Sequence, residues 1–297
     1  MKKLFPVLYT FLLLAGCSGG VYPPTKIAKV NGTELAYAEA GQGVPVIFVH
    51  GASSDTRVWE TQRNAIAGHY RFIAYSLRYH EPNRWQDDGK LYGVQTHAED
   101  LAAFIKLLNV GPVHLVGHSY GGAIVAQVAL DHPELVKTIT LEEAGIGSLL
   151  AESPDGKTLT EEFSKVVATA KDTVKSGDSI EALRNFVDYI LGEKGGFVTL
   201  PPSIIDMFKA NAKTLGPQLG ALPPPTINCA KAGTIKAPTL ILNGEHTIVR
   251  YKVINSVLKR CIPNNESIAI PEADHMVQLR NPNAFNEALL AFLVKRP

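Results

Sequence analysis

Hydrophobic positions follow two rhythms along the chain, and the first of them is that of strands alternating with helices. Over 29–40, Val30, Leu35 and Tyr37 mark the apolar side of an alternating pattern around Asn31-Gly32, which predicts a hairpin. Residues 44–49 form a continuous apolar run, as expected of a strand buried on both faces, and it ends in His50-Gly51-Ala52-Ser53-Ser54. A helix is expected near 59–67 and a strand over 70–77, followed by a polar, irregular stretch over 78–93. Gln95 or Thr96 opens a helix to Leu108, in which Leu101, Ala102, Ile105 and Leu108 recur at helical spacing. The run from Val113 to Val116 meets Gly117-His118-Ser119-Tyr120-Gly121-Gly122, and a helix of small residues then runs to Asp131-His132-Pro133. Another apolar strand, 136–141, finishes in Glu142-Glu143-Ala144-Gly145. Apolar strands separated by helices predict an α/β fold, a doubly wound and mostly parallel sheet with helices on both faces.

The rhythm changes over 146–232, where no strand run is evident and three helical segments are expected. Thr158-Leu159-Thr160-Glu161 matches a capping box, and Leu159, Phe163, Val166, Val167, Ala170 and Val174 form one stripe. Ile180, Leu183, Val187, Ile190 and Leu191 form a second, stopped by Gly192; a third segment spans 203–215, stopped by Gly216. This block reads as an inserted helical cap over the sheet. Strand and helix patterns resume at 238–245, 250–259, 266–270 and 283–295. The chain thus divides into a signal segment 1–17, a tether 18–28, a core in two parts (29–145 and 233–297) and the cap 146–232.

A net charge of +1, with no basic run beyond the first three residues, argues against nucleic-acid partners. Lys2 and Lys3 precede an apolar stretch too short to span a bilayer, and Leu14-Ala15-Gly16-Cys17 resembles a bacterial lipobox. The resemblance implies cleavage before Cys17, lipid attachment there and a place in the cell envelope, with the membrane as a partner through the anchor; the alternative is an ordinary secretory peptide, with Cys17 incidental and the protein secreted. Cys229 and Cys261 remain, and their spacing leaves open whether they form a disulfide. No cluster has metal-ligand spacing and no Gly-rich phosphate loop follows the first strand, so neither metal nor cofactor is expected.

The stretch 113–126 reads as strand, sharp turn and helix, which a nucleophile elbow requires. Glycines at 117 and 121 remove side chains where the backbone passes close to the turn, and the helix N-terminus directs amide N–H groups toward it. His50-Gly51 after one strand, the Gly117–Gly121 motif after another and Asp274-His275 after the last together resemble the α/β-hydrolase superfamily. That resemblance implies Ser119 as nucleophile and His275 as its base. A serine hydroxyl attacks a carbonyl only with a base beside it, and an imidazole near neutrality can take and return the proton. The amides of Tyr120 and Ala52, with Ser53 as the alternative to Ala52, are the expected oxyanion donors, and His50 and His118 are expected to be scaffolding.

The acid departs from the family pattern. Relatives commonly carry aspartate two residues after the Glu of a Gly-Glu segment, where this chain has Thr247. Some branches place the acid one strand earlier, which selects Glu143, with Glu245 and Glu142 as alternatives. A serine hydrolase acting on carboxylic esters or lactones is the expectation, with a small apolar substrate under the cap and Tyr79, Trp85, Met207 and Phe208 as candidate pocket walls. The same groups could cleave carbon–carbon bonds or run perhydrolysis, and a weakly catalytic binding protein is the reading from another class.

Overall fold

The computed structural model describes residues 25–221 and 226–296. Cys17 and its signal segment lie outside them. Eight strands form one sheet in the order β1-β2-β4-β3-β5-β6-β7-β8. They are β1 (Lys26–Val30), β2 (Thr33–Ala40), β3 (Pro45–Val49), β4 (Arg71–Tyr75), β5 (Val113–His118), β6 (Val136–Glu142), β7 (Thr239–Gly244) and β8 (Asn265–Ile270). Strand β2 runs antiparallel to β1 and β4, and the remaining pairings are parallel. β1 begins inside the stretch 18–28 read as a tether, because Ala28 and Val30 turn into the core.

From β3 the chain moves outward to β4, then returns past β3 to β5 and continues the other way. The crevice at such a switch, at the carboxyl ends of the strands, is where open α/β sheets bind ligands. Every side chain of β3 is buried, which accounts for its unbroken apolar run. The flanking helices are α1 (Glu60–Ala67), α2 (Val94–Leu108) and α3 (Tyr120–Asp131). At the end of the cap comes α8 (Cys229–Ala232), and after it α9 (Val249–Cys261), α10 (Val277–Arg280) and α11 (Pro282–Leu293). Helices α2 and α3 pack together, as do α1, α10 and α11, while α9 lies on β7 and β8.

The cap holds α4 (Gly156–Lys175), α5 (Ser179–Leu191), α6 (Pro202–Ala210) and α7 (Leu215–Gly220). Helix α4 starts ahead of the Thr158 capping box. Gly156 is pressed so close to the Leu150 carbonyl that a Cβ would lie 1.7 Å from its oxygen, and the first turn forms there. Gly192 ends α5 in the left-handed conformation, at φ 74°. The third segment breaks at Asn211 because that side chain bonds to the core instead. Its Nδ2 donates to Asp55 Oδ2 at 2.7 Å, and its Oδ1 accepts from the Glu81 N–H at 2.8 Å. Cys229 and Cys261 are joined as a disulfide, with Cα atoms 5.2 Å apart, tying α8 to the last residue of α9.

Candidate active site

The turn between β5 and α3 carries Ser119 at φ 52°, ψ −115°, a left-handed strained conformation that a non-glycine residue adopts only when its surroundings enforce it. Those surroundings are crowded. A Cβ on Gly117 would lie 2.5 Å from the Gly121 carbonyl oxygen, and one on Gly121 would lie 2.3 Å from that of Val49. The Ser119 N–H donates to the Glu142 carbonyl at 2.9 Å, and its own carbonyl accepts from Gly122 and Gly145. The turn is therefore clamped from β6 as well as from its own helix.

His275 follows β8 and is fully buried, and Glu143 follows β6 and is fully buried. The His275 Nδ1–H donates to Glu143 Oε2 at 3.2 Å. Thr247 donates its hydroxyl to that same oxygen at 2.5 Å, and the Gly244 N–H donates to Oε1 at 2.9 Å. Thr247 cannot carry charge, yet it braces the carboxylate that reaches the imidazole from the neighbouring strand. His275 Nε2 has no hydrogen-bond partner among the described residues. His275 and Ser119 share the lining of a small cavity of about 10 Å³. The two alternative acids lie elsewhere: Glu142 accepts from the Gln278 N–H at 3.0 Å, and the exposed Glu245 accepts from the Glu272 N–H at 3.2 Å. Adjacent residues at a strand end point to opposite sides, which separates Glu142 from Glu143.

Burial dominates the electrostatics. It pushes Glu143 up to about 8, with Thr247 and Gly244 working against it, and pushes His275 down to about 3. Burial also raises Glu142 well above the ordinary carboxylate range.

The loop after β3 is braced by two histidines. The Leu77 N–H donates to His50 Nε2 at 3.0 Å, so His50 Nδ1 carries the proton and donates to the Gly51 carbonyl at 2.8 Å. His80 Nδ1 meets the Ser54 carbonyl at 2.7 Å. Burial lowers both histidines, His50 to about 4, so both are neutral supports. His118 donates from Nε2 to the His275 carbonyl at 3.0 Å and holds that backbone in place. Ala52 and Tyr120, the first residue of α3, line the same cavity of about 270 Å³ as Ser119.

Phe163, Val167 and Phe186 of the cap form much of that cavity's apolar wall. Of the four pocket residues expected from sequence, Phe208 lines the small cavity beside Ser119 and the other three line neither. Tyr79 stacks on Trp85 with centroids 5.0 Å apart, Trp85 Nε1 donates to the Tyr79 carbonyl, and Met207 Sδ accepts from the Ser54 hydroxyl. Aromatic content alone does not say which way a ring points. Sequence reasoning passed over Tyr251, whose ring stacks on His275 at 4.2 Å and 29°. Burial raises its pKa, and hydrogen bonding with the Ser119 side chain works against that rise. Its place one turn beyond Thr247 on α9 is the only signal that the sequence held.

A family model described as alpha/beta hydrolase fold matches residues 44–282. The chain is 28% identical over 294 residues to a dihydrolipoyllysine-residue acetyltransferase component of an acetoin cleaving system from Pseudomonas putida, covering 96% of this chain and 73% of that one. It is 26% identical over 284 residues to a 2-hydroxy-6-oxo-6-(2'-aminophenyl)hexa-2,4-dienoic acid hydrolase from Metapseudomonas resinovorans, covering 91% of each. Among solved structures, an N-acyl homoserine lactone degrading enzyme superposes with a TM-score of 0.70 at 25% identity, over 90% of this chain and 100% of that one. With its eight-stranded, mostly parallel sheet, its elbow and its cap, the chain belongs to the α/β-hydrolase fold family.

Proposed function

We propose that the protein is a serine hydrolase that cleaves a carboxylic ester or lactone through an acyl-enzyme. Ser119 Oγ attacks the carbonyl carbon and passes its proton to His275 Nε2, which then protonates the departing oxygen. Glu143 fixes the imidazole tautomer by accepting from Nδ1 and offsets the positive charge that forms on the ring. The amides of Ala52 and Tyr120 take the developing oxyanion. Water deprotonated by His275 releases the acid and frees Ser119.

The observation that carries this reading is the buried chain Thr247–Glu143–His275, which leaves Nε2 unoccupied beside a strained serine. Incubation of the full-length chain with a fluorophosphonate, followed by peptide mass mapping, tests it. A stoichiometric adduct on Ser119, absent from Ser119→Ala, is expected together with turnover of 4-nitrophenyl esters. A folded wild type that takes no label overturns the reading.

Carbon–carbon cleavage is the second reading, favoured by the likeness to the Metapseudomonas resinovorans dienoic acid hydrolase. It uses the same groups and is separated by offering a vinylogous diketone acid alongside the esters. We also propose export and lipidation at Cys17. The Cys229–Cys261 disulfide supports an oxidising compartment. Membrane association lost in Cys17→Ser is the expected outcome.

A further inference from the structure

The cavity beside Ser119 has mostly apolar walls on the cap side, interrupted by one charged group. Arg250, in the first turn of α9, lines this cavity and is only 8% exposed. Its Nη1 donates to the Leu159 carbonyl at 3.3 Å, and its guanidinium carbon lies 4.0 Å over the Phe163 ring centroid. No carboxylate pairs with it among the described residues. Asp188 and the exposed Glu162 and Glu193 border an adjoining outer groove of about 530 Å³ that Arg250 also lines. Asp188 is committed to the Gly195 and Phe197 amides at 2.7 and 2.8 Å, and neither Glu162 nor Glu193 makes an ion pair with Arg250. Arg78 shows the ordinary solution for a buried guanidinium in this fold, with Asp100 accepting from Nε and Nη2 at 2.8 Å each.

A guanidinium offers five donors in a planar fork that matches a carboxylate, and leaving such a charge buried without a counter-ion is costly. The cost persists here because room is kept for the group. A Cβ on Gly147 would lie 2.7 Å from Nη2, so only glycine at that position lets the fork lie where it does. Phe163 stacks against one face of the fork, and Arg250 is the one charged residue in a wall whose other polar cap residue is Gln218.

Resting on the hydrolase reading above, we propose that Arg250 binds a carboxylate on the substrate itself, remote from the carbonyl that Ser119 attacks. The substrate class is then an ester or lactone that bears a free carboxylate. One cation matches one negative charge, whereas a phosphate dianion would leave a charge unbalanced in an apolar cavity.

The test compares two esters of nearly equal length, 4-nitrophenyl hydrogen glutarate and 4-nitrophenyl valerate, on the full-length chain. The wild type is expected to favour the charged ester at least tenfold in kcat/KM, through KM. In Arg250→Gln that ratio falls to about one or below, with Arg250→Lys between. Reading a ratio cancels any general loss of activity. Gly147→Ala, which crowds Nη2, lowers the same ratio and serves if Arg250→Gln does not fold. A wild type that prefers the neutral ester, or a preference that survives Arg250→Gln, overturns the inference while leaving the hydrolase reading intact. If neither ester turns over and Ser119 takes no label, the hydrolase reading falls instead. Calorimetric binding of glutarate that is abolished in Arg250→Gln then still supports the Arg250 site, and equal binding by both proteins overturns it.

Discussion

The two sides of the cavity at Ser119 are built by opposite rules. On the sheet side, several polar groups are held by more than one partner, and backbone supplies many of them. Both oxygens of Glu143 are occupied, His50 is bonded through both ring nitrogens, and the Ser119 turn is tied to β6. On the cap side the wall includes Phe163, Val167, Phe186 and Gln218, with one cation held by a single carbonyl and a ring. A site tied down by backbone tolerates little change in chemistry, whereas a wall of side chains can change what it admits. Substitutions on the first side should therefore slow every substrate alike, and those on the second should change the ranking of substrates.

The largest effect that would sharpen this contrast is on the acid. Glu143→Gln keeps the shape but offers an N–H where His275 needs an acceptor, and kcat is expected to fall by roughly 10²- to 10⁴-fold for every ester. The double variant Glu143→Gln/Thr247→Asp returns a carboxylate from the next strand and should recover at least tenfold of that loss. Equal activity of Glu143→Gln and wild type would remove Glu143 from the mechanism.

The second effect is on pH. In the proposed mechanism the base is neutral His275 beside ionised Glu143, so activity is expected to fall as pH falls and the pair takes up a proton. Burial raises Glu143 to about 8, which puts the acid limb of kcat/KM on the alkaline side of an ordinary histidine. The Thr247 hydroxyl holds that value down, so Thr247→Val should move the limb to higher pH. A limb that stays still in Thr247→Val would break the link between the two strands.

A smaller effect is expected on the cap side. Phe163→Ala removes an apolar wall and the ring under Arg250. It should raise KM by about tenfold with kcat within a factor of three. A fall in kcat instead would mean that the cap takes part in the chemistry. Smallest for catalysis is the disulfide. Replacing Cys229 and Cys261 by alanine opens a link across 32 residues and should cost roughly 3–4 kcal/mol of stability, read by denaturant unfolding, while kcat stays near wild type at 25 °C.

Much of the sheet side was legible in the sequence because strands buried on both faces leave unbroken apolar runs, and each run ends where a polar side chain emerges. Ser119 and Glu143 follow such runs, whereas His275 follows β8, an edge strand of mixed polar and apolar residues that is only partly buried. The hydrogen bond from Thr247 was not legible, since it depends on two strands lying side by side. The cap side was harder to read. The stripe through Phe163 shows which face of α4 is apolar but not what that face covers. Arg250 is one of 29 basic residues, and its burial is a property of α4 and α9 together. Tyr79 adopts φ 72° and stacks on Trp85, away from the cavity, which no periodicity encodes. The third cap segment looked continuous because Asn211 is an acceptable helix residue whose core partners, Asp55 and Glu81, lie far away in sequence.

Arg250 and Tyr251 are consecutive residues, and each touches a different side of the site. The first reaches beneath α4, and the second lies flat on the imidazole of His275. The far end of the same helix is bolted to α8 by a covalent bond. A shift of α9 by a fraction of an ångström would register at both residues at once. Adaptation to a new substrate through this helix would therefore retune the base as it retunes selection. Mutations free of that penalty should accumulate on α4 and α5, where the wall can be rebuilt without moving the histidine's neighbour.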